Sequence, residues 1–286
     1  MGIIDGLVLL LIHSFAAASP PVPLPFHLTS QGGIIVPAIV SGIGPVSFIL
    51  DTGSNGSVIS EPLALALGAQ AVAKTTLMSV SGRRDALVVR IEHLAVGGVS
   101  THDVQMTVVS PDAFNLPDLA TSGRKIQGVI GQDVLGALRY TIDYAQRRIV
   151  WHDTAARISV HATVLELESQ DDRLVARVPQ DHHVLLRLVP DTGAETLVLF
   201  QHGGSIPPTV SLANESVELA GLTGRRNARR VVVRAFRVGS TLLTDVAAVI
   251  VGHECDATPL DGLLPLHLFA RVTFNGPEHQ LLIETR

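Results

Sequence analysis

The chain has 286 residues, 47% apolar and only 16% charged, against the roughly one quarter charged that is usual for soluble domains. Extended disorder and coiled coil are therefore excluded, and a globular chain with a sizeable core is expected. A formal net charge of −5 with no long run of like charge argues against a general nucleic-acid or membrane-surface binder, and the single cysteine, Cys255, rules out an intramolecular disulfide or a multi-cysteine metal knuckle.

Residues 6–12 form an apolar run too short to span a bilayer comfortably. Ala16-Ala17-Ala18-Ser19 then suits signal-peptidase cleavage after Ala18. The expectation is a signal peptide over residues 1–18 and export to the periplasm or the cell exterior. No Lys or Arg precedes the run and Asp5 stands where positive charge is usual, so an uncleaved anchor is the alternative. Pro20, Pro21, Pro23 and Pro25 make residues 19–26 a stiff spacer, and the folded part is expected to begin near Phe26.

From there the apolar stretches are short and rich in Val, Ile and Leu: residues 34–40, 46–50, 86–91, 104–109 and 149–151. Gly, Pro, Asp and Asn separate them, the pattern of a mostly β protein. Only residues 61–67, opened by Pro62 and stopped by Gly68, and residues 132–138 have a helical pattern.

The chain repeats itself. Phe48-Ile49-Leu50-Asp51-Thr52-Gly53-Ser54 returns 140 positions later as Leu188-Val189-Pro190-Asp191-Thr192-Gly193-Ala194. Ser81-Gly82-Arg83-Arg84 is matched by Thr223-Gly224-Arg225-Arg226, and Gly128-Val129-Ile130-Gly131 by Gly262-Leu263-Leu264-Pro265. Three markers in the same order point to a duplicated domain, with an N-terminal half over 27–157 and a C-terminal half over 158–286.

An apolar strand running into Asp-Thr-Gly, then a Gly-bearing hairpin, then an apolar-apolar-Gly segment resembles the pepsin and retropepsin superfamily of aspartic proteases. The resemblance covers both halves, each with the small size of a retropepsin subunit. It implies a bilobal acid-protease fold of two similar β-barrel-like halves related by a pseudo-twofold axis. It also implies aspartic endopeptidase activity on peptide or protein substrates, with no cofactor, no metal and no need to dimerise. Asp51 and Asp191 would be the catalytic pair. Two carboxylates a few Å apart do not both ionise cheaply, so one keeps a proton while the other activates a water.

By the same resemblance, Thr52 and Thr192 would cross-link the two loops. Gly53 and Gly193 would permit the tight turn and leave amides free to donate to the carboxylates. Ser54 would add a hydroxyl donor to Asp51 that Ala194 cannot offer Asp191. Gly82 and Gly224 would lie at the tips of hairpin flaps over the substrate. The arginines beside those tips, Arg83, Arg84, Arg225, Arg226, Arg229 and Arg230, read as a solvated hairpin surface, with selection of acidic substrates as the alternative.

The second half departs from the pattern. Pro190 precedes Asp191, Pro265 stands where the first half has Gly131, and His267 stands where it has Asp133. A proline removes a backbone donor and restricts its predecessor, so the geometry of Asp191 is the more exposed to doubt. A protease-derived module that binds peptide without cutting it is therefore the competing function. A phosphotransferase built on duplicated Asp-x-Gly loops would need long helices that the sequence lacks. The polar stretch over 253–256 offers metal-ligand side chains, but four consecutive residues cannot all converge on one ion from a regular strand. His182 and His183 read as loop residues and Trp151 as core.

Overall fold

The computed structural model describes residues 22–155, 159, 162–180, 184–201, 210–252 and 260–285. The leader, His182, His183 and the stretch 253–256 with Cys255 lie outside the described residues.

The first half runs through β1 (Leu24–Pro25), β2 (His27–Leu28), β3 (Ile34–Val40), β4 (Ile43–Leu50), β5 (Ser57–Ser60), α1 (Glu61–Ala66), β6 (Ala71–Ser79), β7 (Gly82–Val96) and β8 (Val99–Val109). It continues with α2 (Pro117–Thr121), β9 (Ile126–Ile130), α3 (Gln132–Leu135), β10 (Arg139–Asp143) and β11 (Arg148–His152). The second half supplies β12 (Thr163–Gln170), β13 (Arg173–Pro179), β14 (Leu185–Asp191), β15 (Leu197–Gln201) and β16 (Val210–Gly221). Its remaining strands are β17 (Gly224–Val238), β18 (Thr241–Gly252), β19 (Gly262–Pro265), β20 (Arg271–Asn275) and β21 (Gln280–Glu284).

The protein is thus mostly β, as its short β-branched runs require. Strands 34–40 and 149–151 lie within β3 and β11, but residues 86–91 and 104–109 are only parts of the longer β7 and β8. Helix α1 forms where Pro62 and Gly68 frame it. The second helical stretch is shorter than the sequence pattern, because α3 closes at Gly136, whose amide bonds to the Gln132 carbonyl at 2.8 Å, and β10 follows at once. The fold also begins inside the stretch read as a spacer. Leu24 and Pro25 pair with Ile149 and Arg148, and Leu24 and Phe26 are buried.

One sheet has the strand order β2-β3-β4-β9-β5-β8-β7-β6. A second, of thirteen strands, contains the run β12-β13-β14-β19-β15-β18-β17-β16, the same eight positions in the same order. The senses of pairing agree as well: β4–β9 and β14–β19 are parallel, as are β5–β8 and β15–β18. The remaining five strands, β1-β11-β10-β20-β21, join the halves. There β10 pairs antiparallel with β20, Thr141 opposite Thr273, with their hydroxyls 2.8 Å apart.

A single apolar cluster reaches from Phe48 and Leu50 through Tyr140 and Trp151 to Phe274 and Leu281. Tyr140 stacks on Phe274 with ring centroids 4.9 Å apart, a contact worth about 1 kcal/mol beyond its area. Both Asp-Thr-Gly segments leave the ends of strands fixed in this core. β4 and β14 carry buried residues up to Leu50 and Pro190, so the turns that follow are held at their roots.

Candidate active site

Each Asp-Thr-Gly loop opens where a strand runs out beside a parallel neighbour. Leu50 lies opposite Ile130 in β9, and the Asp51 amide donates to the Ile130 carbonyl at 3.0 Å. In the second half Asp191 lies opposite Pro265 in β19. The chain then turns back on its own carboxylate. The amides of Gly53 and Ser54 donate to Asp51 Oδ1 at 2.9 and 3.1 Å, and those of Gly193 and Ala194 donate to Asp191 Oδ1 at 2.6 and 3.1 Å.

The two loops are stitched to each other by their threonines. The Thr52 amide donates to Thr192 Oγ1 at 3.0 Å and the Thr192 amide to Thr52 Oγ1 at 3.1 Å. Each hydroxyl then donates across the junction, Thr52 to the Pro190 carbonyl at 2.8 Å and Thr192 to the Leu50 carbonyl at 2.6 Å. Both threonines are buried, so these four bonds satisfy groups that have no water to turn to. Pro190 contributes its carbonyl to this lattice, a role that its missing N–H does not affect.

The stitching brings Asp51 and Asp191 into mutual hydrogen-bond contact. Glycine is required beside them for room. A Cβ on Gly53 would lie 2.4 Å from Asp191 Cγ, and one on Gly193 would lie 3.0 Å from Asp51 Cγ. Burial raises the pKa of Asp51, opposed by the Gly53 amide, the hydrogen bond to Asp191, the Ser54 amide and the charge of Arg173. Burial raises Asp191 well above the ordinary carboxylate range, and the negative charge of Asp51 raises it further. The pair therefore favours one shared proton and titrates as a single unit.

Ser54 behaves differently from expectation. Its hydroxyl donates to the Gly56 carbonyl at 2.7 Å and leaves Asp51 to the backbone amides, because the tight turn presents that carbonyl nearer to the side chain. The hydroxyl therefore adds no donor to Asp51, and Ala194 costs Asp191 nothing.

Gly128 and Gly131 pass close behind the first loop. A Cβ at Gly128 would come within 2.3 Å of both the Phe48 ring and the Val58 carbonyl, and one at Gly131 within 2.6 Å of the Gly56 carbonyl. Sequence reading missed the polar residues that hold this region. The Ser57 hydroxyl accepts from the Gly131 amide at 3.1 Å and donates to Asp133 at 2.7 Å, and the Gln132 side chain donates to the Thr52 carbonyl at 2.8 Å. Burial raises the pKa of Asp133. Only the adjacency of Gln132 and Asp133 to the third repeat marker could have signalled them.

Gly82 and Gly224 close the turns β6–β7 and β16–β17, opposite Ser79 and Gly221, with φ of 138° and 144° that suit glycine. The two tips meet. Ser79 Oγ lies 2.7 Å from Thr223 Oγ1 and 2.8 Å from Ser81 Oγ, and Ser81 Oγ lies 3.0 Å from Thr223 Oγ1. Leu77 and Leu222 pack on a cluster that contains Ile35, Ile49, Val58 and Val129, which sets the hairpin ends over the face next to Asp51. Of the flanking arginines, Arg225 pairs with Glu218 and Arg230 with Glu215 across the exposed hairpin.

Among the described residues no three His, Cys, Asp or Glu side chains come together to hold a metal ion. No curated protein matches the chain. Residues 36–134, the segment that carries Asp51, Gly82 and the β9 marker, match the family model for aspartyl protease, and this match supports a protease, and hence a hydrolase, of an aspartyl protease family.

Proposed function

We propose that the chain is an aspartic endopeptidase of two similar halves related by a pseudo-twofold axis, with Asp51 and Asp191 as its catalytic pair. The observation that carries this reading is the reciprocal Thr52–Thr192 stitching, which holds the half-buried Asp51 and the buried Asp191 together, an arrangement in which one of the two keeps a proton. An extended peptide would lie between the dyad and the hairpin tips, gripped by main-chain hydrogen bonds.

A water between the carboxyl groups attacks the peptide carbonyl carbon. The ionised member of the pair takes one proton from the water, while the protonated member donates its proton to the carbonyl oxygen. The resulting gem-diol collapses as the carbon–nitrogen bond breaks. The carboxyl that took the water proton passes it to the leaving nitrogen and the other recovers its own from the gem-diol, so the pair returns to its starting state.

The expected partner is a peptide or protein substrate, and one chain suffices for a complete site. Export through the N-terminal leader belongs to the same reading, and N-terminal sequencing of the secreted protein tests it. Incubation with a mixed peptide library between about pH 3 and 7 tests the activity. Cleavage that is lost in Asp51→Asn and in Asp191→Asn and blocked by a hydroxyl-bearing transition-state analogue is the expected outcome. Retention of peptides without cleavage would replace this reading with that of a peptide-binding module.

A further inference from the structure

The two halves also differ where β3 and β13 begin, next to the dyad. β13 pairs with β14 so that Ala176 lies opposite Leu188. The same register, carried back, sets Val175 beside Val189 and Arg173 beside Asp191. In the first half Ile35 lies opposite Ile49, and the register sets Gly33 beside Asp51. All four first-half residues stand 140 positions before their counterparts. A buried apolar pair, Ile35 with Ile49 or Val175 with Val189, is therefore followed on the same face by glycine in one half and by arginine in the other.

That face matters because Leu77 and Leu222 of the hairpins pack on the Ile35–Ile49 side. Arg173 occupies the equivalent place in the second half, and its charge reaches the dyad, where it lowers the Asp51 pKa. Its side chain is half-buried and makes no ion pair or side-chain hydrogen bond among the described residues, whereas neighbouring Arg177 and Arg187 are held by Glu168. At Gly33 the equivalent space is already taken. A Cβ there would meet Thr29 Oγ1 at 3.0 Å and Asp118 Oδ2 at 3.7 Å, and Asp118 Oδ1 is occupied by the Ser30 hydroxyl and the Gln31 amide.

A half-buried guanidinium with no ion pair or hydrogen-bonded acceptor among the described residues has donors to spare, and a carboxylate matches its planar fork in a bidentate pair. We propose that Arg173 is a specificity-determining residue that binds an Asp or Glu side chain of the peptide substrate, at a subsite beside the Val175–Val189 pair. The proposal rests on the aspartic endopeptidase reading for its substrate class.

The test uses peptide sets identical except for Glu, Gln or Lys at each position around the cleaved bond, read by cleavage rate and, with labelled peptides, by fluorescence anisotropy. The wild type is expected to favour Glu over Gln at one subsite by about tenfold. Arg173→Gln should bring that ratio to about one, and Arg173→Glu should turn the preference toward Lys. A flat wild-type profile would overturn the proposal without any variant. So would an acidic preference that survives Arg173→Gln in a protein whose thermal unfolding is still cooperative. If the wild type cuts none of the peptides, the catalytic reading fails, while the Glu-to-Gln binding ratio still decides the role of Arg173.

Discussion

Behind Asp51, the Ser57 hydroxyl accepts from the Gly131 amide and donates to Asp133; behind Asp191, the corresponding residues are Leu197, Pro265 and His267. Donor and acceptor have been replaced together. Pro265 has no N–H to satisfy and Leu197 has no oxygen to offer, so the second half loses a hydrogen bond without leaving a buried group unpaired. His267, which stands in the place of Asp133, packs against Gly32, where a Cβ would come within 2.4 Å of the imidazole. The prolines look damaging when read singly, yet the Asp191 loop keeps its two amide donors and the Pro190 carbonyl its partner. The loops themselves show no such divergence, since each carboxylate receives the same two backbone amides and each threonine the same reciprocal bonds.

This contrast between conserved loops and divergent supports can be broken at several points. The largest stability effect is expected at the threonines. Thr52→Val strands the Thr192 amide and the Pro190 carbonyl, and Thr192→Val strands the Thr52 amide and the Leu50 carbonyl. Each should cost about 2–5 kcal/mol in denaturant unfolding, at one to a few kcal/mol per stranded group. The double variant should cost about as much as the two together, because each removes two different bonds. Thr→Ser at either site should recover most of the loss.

A smaller effect, sharpened by its asymmetry, is expected at the glycines. Gly53→Ala forces a methyl to 2.4 Å from Asp191 Cγ, whereas Gly193→Ala reaches only 3.0 Å from Asp51 Cγ. Overpacking of about 1–3 kcal/mol is expected at Gly53 and less at Gly193, with peptide cleavage falling further in Gly53→Ala. Behind the loops, Ser57→Ala should destabilise by about 1–3 kcal/mol, because the Gly131 amide and Asp133 lose a partner. Leu197→Ala should cost about 2–5 kcal/mol through lost burial and the cavity left behind, with no polar group left unpaired.

The smallest effect is a slope with pH. Both dyad carboxyls have pKa values raised in the fold above the ordinary aspartate value of 3.8, so folding favours their protonated forms. The stability they contribute is complete below that unfolded value and is lost as pH rises through the raised values. Thermal unfolding should therefore show this contribution declining above the ordinary carboxylate range. Asp51→Asn and Asp191→Asn should each flatten the decline, because the two carboxyls titrate as one pair.

Much of this was legible in the sequence. The duplicated Asp-Thr-Gly, Gly-Arg-Arg and apolar-Gly markers fix which strands correspond, because each marks a place where backbone must turn or pass close. The joining of the halves was not legible. The β10–β20 pairing and the attachment of Leu24 to β11 are long-range registers that no local pattern encodes. The Ser54 hydroxyl was misread, since its choice of the Gly56 carbonyl depends on turn geometry rather than on residue type. Arg173 was missed because its meaning lies in the comparison with Gly33, which requires the register of both sheets. The surface pairing of Arg225 and Arg230 with glutamates depends likewise on which residues face each other across β16 and β17.

The central claim is that Asp51 and Asp191 act as one unit on one water. Single-turnover peptide cleavage by the wild type, Asp51→Asn, Asp191→Asn and the double variant tests it most directly. The account predicts that each single variant loses about 10²–10⁴-fold or more and that the double variant is hardly slower than either, as for groups that act together. A single variant that keeps wild-type cleavage, or losses that multiply in the double variant, would contradict the shared dyad.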